Sequence, residues 1–438
     1  MVNFHIISKI IGSLLFIEAF FMACCMGISF TFHEDDIMAF IVSTLFTFGS
    51  AFLFLFMGRS AQNTLNRRDA YVVVTAAWVI FSFFGMFPFL IHGSITSLAD
   101  AYFETMSGFS TTGATIIDNV EQLPHGILFW RSLMQWIGGL GIVFFTIAVL
   151  PSLVGGSVKV FAAEATGPLR SKMHPRLSTN AKWIWSIYML LTLACIGSYW
   201  AAGMNWFEAT NYSMTTTATG GFSIHNDSTE HFNSATIDYV SILFQFLSGI
   251  NFTLLYIAIF KLKIGALFKN SEFKLYMTVV IVATGIITYL LFTRMHYGLE
   301  HSFRSALFQV VSFMTTTGMF NDDAALWPHV TWVILGIVMY LGACAGSTSG
   351  GFKCIRGVML LQVVRNNFRQ ILHPNAITIA LSCVSNVGPS LGTEIGPAMS
   401  WSILPDYIKW ILCLLMLMGR LEIMTVLVLF TRVFWKEN

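Results

Sequence analysis

The stretch Phe313-Met314-Thr315-Thr316-Thr317-Gly318 decides the fold, because versions of it recur at Gly113 and Gly220, with a looser one at Gly388. The recurring tripeptides are Thr111-Thr112-Gly113, Ala218-Thr219-Gly220, Thr316-Thr317-Gly318 and Asn386-Val387-Gly388. Each follows a short apolar or mixed segment and precedes a long apolar one. A glycine closing an extended segment lets backbone carbonyls turn toward a common axis. Four such segments around one axis make a ring of oxygens suited to replace a cation's hydration shell. The pattern predicts a fourfold pseudosymmetric cation pore within one chain. The competing reading, a mere turn, is weakened by three good copies at matched places.

Composition agrees on the class. The chain has 438 residues, 55% of them hydrophobic and 11% charged, with a mean hydropathy of +0.70. No soluble domain hides so much apolar surface, and several runs reach the ~20 residues that span a bilayer. Glu18 within the first apolar run, and no small-residue cleavage site after it, predict a retained helix in place of a signal peptide. Seven cysteines lie scattered through apolar segments with no metal-ligand or paired spacing, and read as small buried hydrophobes.

In chain order, residues 1–68 hold two leading spans (about 4–32 and 37–57), joined by the acidic turn His33-Glu34-Asp35-Asp36, and a basic loop. Repeat 1 (69–178) runs as a span, a half-helix ending at the Gly113 element, and a second span near 125–150. Repeat 2 (179–271) has spans near 181–202 and 235–260; repeat 3 (272–373) has spans near 274–293 and 329–345. Repeat 4 occupies 374–438. The expected architecture is an all-α polytopic membrane protein of four span, half-helix, filter, span units around a central pore, preceded by two extra transmembrane helices.

Lys and Arg concentrate in four connections, at Arg59 to Arg68, Lys159 to Lys182, Lys261 to Lys274 and Lys353 to Arg369, which places those loops in the cytoplasm. The opposite side carries Glu34, Asp35, Asp36, Asp118, Glu121, Asp227, Glu230, Asp322 and Asp323. Every glycine turn then opens outward, where these acids would modestly concentrate cations.

The half-helices are too short to span and too polar to face lipid, with Glu104, Ser107, Ser110 and Thr111 in the first and Asn211 and Thr215 to Thr217 in the second. The surrounding spans must enclose them, with their negative C-terminal ends toward the pore. In repeat 3 the second span is interrupted by Gly342 to Gly351, too rich in small residues to continue as helix. Gly346, Ser347, Thr348, Ser349, Gly350 and Gly351, with Lys353 at the cytoplasmic end, read as a mobile gate, or else as close helix packing through small residues. Aligned second spans place Gly139, Gly249 and Ala343 where repeat 4 has Arg420. An arginine within an apolar span is either an electrostatic obstacle below the filter or one half of an interhelical salt bridge.

These features together resemble the TrkH/KtrB superfamily of bacterial potassium transporters, most closely its TrkH branch. The resemblance covers nearly the whole chain. It implies a potassium-selective pore with one filter glycine per repeat, matched by Gly113, Gly220, Gly318 and Gly388. It also implies a gate made of the intramembrane loop, matched by Gly346 to Gly351, and the pore arginine, matched by Arg420. The family further implies a homodimer in the bacterial inner membrane, N and C termini cytoplasmic, bound to a cytosolic TrkA-like ring of nucleotide-binding regulatory subunits. This chain carries no nucleotide-binding glycine motif of its own and no cofactor is expected beyond transported K+.

The fourth repeat departs from the pattern. Successive filter glycines are 107 and 98 residues apart, but the last interval is 70. Between Arg369 and Gly388 there is room for a half-helix and not for a preceding span, so the fourth repeat's first helix is expected to be absent. An enzymatic role finds no support: there is no His-Glu-x-x-His helix, and Ser349 has no evident base. A proton- or sodium-coupled potassium symporter is the harder rival, since pore and carrier can share this fold.

Overall fold

The computed structural model describes residues 3–61, 67–141, 177–359 and 406–420, helical apart from turns and loops, with no strand among them. The leading hairpin consists of α1 (Phe4–Phe32) and α2 (Ile37–Met57). Asn3 caps α1, and His33, in the left-handed conformation at φ 56°, ends it. The acidic turn then docks on repeat 1, where Glu34 accepts from the His125 amide at 2.5 Å and pairs with its ring at 2.7 Å.

Repeat 1 begins with α3 (Arg67–Gly85) and α4 (Phe87–His92), two pieces of one 24-residue apolar stretch, Asp69–His92. Pro88 in the first turn of α4 marks the break, since proline has no N–H to continue the ladder. The half-helix α5 (Leu98–Phe109) follows, then α6 (His125–Gly139). At 12 residues α5 reaches about 18 Å, short of the ~30 Å hydrocarbon core. Repeat 2 has α7 (Leu177–Ala201), the half-helix α8 (Trp206–Thr217), α9 (Ala235–Ser248) and α10 (Phe252–Phe260). After the short α11 (Gly265–Lys269), repeat 3 has α12 (Ser271–Leu290), the half-helix α13 (Leu299–Met314) and α14 (His329–Leu341). The last described helix is α15 (Asp406–Arg420).

Among the described residues, five helices are long and apolar enough to cross a membrane, or six with α9 and α10 taken as one span. That last span is not the continuous helix expected near 235–260: its halves meet at 106°. Gly249 ends α9, and Asn251 caps α10 by accepting from the Thr253 amide at 2.8 Å. The Gly249 carbonyl, freed by the break, accepts from the Cys344 amide at 3.1 Å. The break is therefore built into the packing of repeat 3 against repeat 2.

The ring order is legible from the helix packing. α6 lies against half-helix α8, α9 against half-helix α13, and α15 against half-helix α5. Among the described residues, the second spans of the first and second units thus cover the next unit's half-helix, and α15 closes on that of the first. Charged pairs mark two of these seams: Asp238 on α9 with Arg304 on α13, and Lys409 on α15 with Asp100 on α5 at 2.5 Å. Asp238 stands 11 residues before Gly249 and Lys409 stands 11 before Arg420, so both second spans place their charge at one register, with the sign exchanged. Trp410 adds a ring contact to Tyr102, with centroids 5.0 Å apart.

Within this ring the polar half-helices are enclosed as their composition requires. Glu104, Thr105, Ser107, Asn211, Thr215, Gln309 and Ser312 are all buried.

Candidate functional site: three glycine turns and the loop beneath them

Each of the three described half-helices ends in the same turn. The amides of Thr112, Gly220 and Thr317 donate to the carbonyls of Ser107, Thr215 and Ser312 at 2.9, 2.9 and 2.8 Å. Thr111, Thr219 and Thr316 take left-handed φ values of 56°, 53° and 58°. Two residues later Gly113, Gly221 and Gly318 are left-handed again, at 79°, 78° and 79°. The alignment of turns is thus Thr111-Thr112-Gly113, Thr219-Gly220-Gly221 and Thr316-Thr317-Gly318. Reading the second turn as Ala218-Thr219-Gly220 slips by one residue: Gly221 stands where Gly113 and Gly318 stand, while Gly220 matches the middle threonines. The first and third positions both need a left-handed backbone, which residues other than glycine adopt at a cost of ~1–2 kcal/mol, whereas the middle one does not.

The turns also seal against one another. A side chain on Gly113 would collide with the Gly220 carbonyl, and one on Gly221 with the Thr317 carbonyl. Gly113 and Gly221 therefore each make room for the middle carbonyl of the next turn. Gln135 of α6 locks the first of these seams, donating to the Gly220 carbonyl at 2.8 Å and accepting from the Phe222 amide at 3.0 Å. Gln245 of α9, the equivalent residue one unit on, reaches Met319 beside the third turn.

Behind the first turn lies a buried ion pair. The Arg131 Nε donates to Glu104 at 2.9 Å, while Glu104 also accepts from Thr115 and from the Ile116 amide at 3.0 Å. Arg131 donates further to the Ser223 carbonyl at 2.9 Å and lies over the Phe222 ring. Tyr212 and Gln309 occupy the place of Glu104 in the next two half-helices, and brace the segments after their own turns through Ser223 at 2.6 Å and the Asp322 carbonyl at 3.0 Å. Three chemistries thus perform one mechanical task.

Below the turns, helix is lost from Gly342 to Lys353 and resumes at Cys354. Gly342, Gly346 and Gly351 have positive φ, as does Lys353 at 71°, a conformation costly for lysine. The loop presses on the turns from the inner side. The Thr348 hydroxyl lies 3.0 Å from the Thr217 carbonyl, the last of α8, and 3.2 Å from that of Ser248. The Gly350 amide donates to the Thr316 hydroxyl at 2.6 Å. Lys353, only 2% exposed, donates to the Ser349 carbonyl. Glu272 of α12 holds both ends of the loop, accepting from the Ala345 amide at 2.6 Å and the Ile355 amide at 3.1 Å.

On the opposite rim, burial raises the carboxyls of Glu230 and Asp322 above their ordinary values, and neighbouring carboxylates raise Glu230 further.

A family model described as TrkH, cation transport protein, matches residues 33–381. The chain belongs to the TrkH family. It is 33% identical to the Trk system potassium uptake protein TrkH of Halomonas elongata and 31% identical to that of Escherichia coli K12, covering 99% of this chain and all of each relative. The crystal structure of the potassium transporter TrkH from Vibrio parahaemolyticus matches with a TM-score of 0.86 at 30% identity, over 99% of this chain and all of the other.

In this TrkH-family chain the structure brings Thr111, Thr112, Gly113, Ala218, Thr219, Gly220, Thr316, Thr317 and Gly318 to one place, with Gly346 to Gly351 and Lys353 against them. Asn386, Val387 and Gly388 lie outside the described residues, as does the side chain of Arg420, whose backbone ends α15. Gln135, Arg131, Gly221 and Glu272 escape a reading of the sequence. A doubled glycine at 220–221 and a lone acid in the first turn of α12 are the signals that point to the last two.

Proposed function

We propose that this chain is the membrane subunit of a bacterial potassium uptake system and conducts K+ through a channel-like pore. The observation that carries the reading is the threefold recurrence of one left-handed turn, with Gly113 and Gly221 each seated against the next turn's carbonyl and a glycine-rich loop under the same turns. K+ is held by backbone carbonyls; with the Gly220 carbonyl engaged by Gln135, Thr219 and Gly221 supply the ligands of the second turn. Thr348, Gly350 and Lys353 hold the loop closed, and Arg420, on the fourth second span, adds a positive charge beneath the filter. The names of the relatives support K+ as the ion.

The finer points belong to the same reading. The chain works as a homodimer in the inner membrane with cytoplasmic termini, and a TrkA-like nucleotide-binding ring drives the loop from the cytosol. The fourth repeat lacks its first span; in support, alignment to the Halomonas relative extends over 485 positions against 438 residues here. Flux of K+ against Na+ into liposomes, with and without the cytosolic ring, tests the reading. Arg420→Ala should raise flux, and unchanged flux would make the arginine structural.

A further inference from the structure

We infer that Glu121, His225 and His231 form a transition-metal site of the zinc class on the rim of the pore, between the first and second turns. One donor atom from each lies within 4.8 Å of the others. Glu121 sits in the single turn Val120–Gln122, just beyond the first filter turn; His225 comes four residues after Gly221, and His231 sits in the turn Glu230–Phe232. The set therefore joins two repeats.

His225 carries the inference furthest. Both its ring nitrogens are shielded from solvent, yet neither makes a hydrogen bond. Its Nδ1 faces Glu121 Oε1 at 3.4 Å, and its Nε2 faces Glu208 Oε1 at 3.7 Å. A carboxylate behind one imidazole nitrogen, with the other nitrogen open to a metal, is the usual outer-shell arrangement of a zinc histidine. The His231 ring stacks on His225 with centroids 3.6 Å apart and planes 5° apart. Lone pairs of parallel rings lie in separate planes and do not meet, so the exposed His231 ring turns out of this stack to share a metal with His225. Two imidazoles and one carboxylate suit Zn2+ and fit poorly with Ca2+ or Mg2+, which demand oxygen ligands.

Tetrahedral zinc wants donors roughly 3.3 Å apart, from Zn–N bonds of about 2.0 Å. The exposed Glu121 and His231 can close that distance by side-chain rotation, since Asn226 already fixes the two loops through the Val120 amide at 2.9 Å and Asn119 at 3.0 Å. Glu208 also forms the capping box of α8, accepting from the Asn205 amide at 3.0 Å. Occupancy thus stiffens the seam of the first two turns and the start of the second half-helix, and adds positive charge at the mouth. Slower cation flux follows, a consequence that rests on the pore reading above.

The test titrates the purified full-length chain in nanodiscs with chelator-buffered Zn2+, alongside H231A, E121Q and, as a control elsewhere in the chain, H329A. One zinc per chain is expected, with binding weakened at least tenfold in H231A and in E121Q and unchanged in H329A. Both altered residues are exposed, so both variants fold. Absence of stoichiometric binding, or binding in H231A and E121Q as tight as in the parent, overturns the site. Zinc that binds yet leaves flux unchanged overturns its coupling to the pore. Since binding is read without transport, a chain that binds zinc but carries no K+ supports the site and sinks the pore reading, and the reverse result does the opposite.

Discussion

The backbone amide of Gly350 donates to the Thr316 hydroxyl across 2.6 Å, so the loop beneath the pore and the third filter turn share a hydrogen bond. Thr316 therefore serves twice, its left-handed backbone shaping the turn and its hydroxyl holding the loop. In Thr316→Val the shape is kept and the acceptor lost. A buried amide left without a partner costs ~1–3 kcal/mol, all of it charged to the closed arrangement. Resting K+ flux should rise about fivefold or more by that energy, and flux equal to the parent would separate loop from turn.

Gly221 and Gly220 give opposite expectations under the same substitution. Gly221→Ala puts a methyl against the Thr317 carbonyl and forces alanine to φ 78°, whereas the neighbour of a Gly220 methyl is the amide end of Gln135, a side chain that can shift at the expense of its two hydrogen bonds. Cation flux through reconstituted protein should fall at least tenfold in Gly221→Ala and much less in Gly220→Ala. Equal losses would contradict the one-residue register of the second turn.

The Arg131–Glu104 pair is a matter of stability before it is one of transport. Removing one member of a buried, hydrogen-bonded pair typically costs about 3–5 kcal/mol. Arg131→Met should lower the melting temperature in detergent markedly, because Glu104, Thr115 and the Ser223 carbonyl all lose a donor. A melting curve identical to that of the parent would mean that the brace carries no load.

External acidification probes the outer rim. Glu230 and Asp322 are raised by burial, so they take up protons at a higher pH than free carboxylates near 4. As pH falls toward that window the rim loses negative charge, and uptake from dilute K+ should drop about twofold, the scale of modest electrostatic focusing. Folding moves the other way. A raised carboxyl stabilises the fold below its unfolded value and loses that contribution as pH rises through its folded one, so these two groups do not unfold the protein on acidification. In a Glu230→Gln, Asp322→Asn double variant the uptake profile should flatten; an unaltered drop would assign it elsewhere.

Much of the fold lies open in the sequence because lipid imposes simple rules. The bounds expected for the leading spans, 4–32 and 37–57, coincide with α1 and α2, and the polar half-helices are enclosed as required. The run from Gly342 unwinds because, apart from Ala343 and Ala345, nothing in it favours helix. Local pattern fails where distant partners decide. The apolar run near 235–260 reads as one continuous span, yet the chain bends by 106° at Gly249, since Asn251 and the Cys344 amide satisfy the broken ladder. Two successive glycines hide the register of the second turn until the φ values choose Gly221. Gln135 and Glu272 act across 85 and 73 residues of sequence, and no local periodicity announces such reach.

The central claim is that these turns surround a conducting K+ path. Liposomes loaded with K+, containing the purified chain and no proton or sodium gradient, test it most directly. Dissipation of the K+ gradient, faster than that of Na+ and suppressed in Gly221→Ala, is the expected result; a K+ gradient that persists until a proton or sodium gradient is supplied would contradict it.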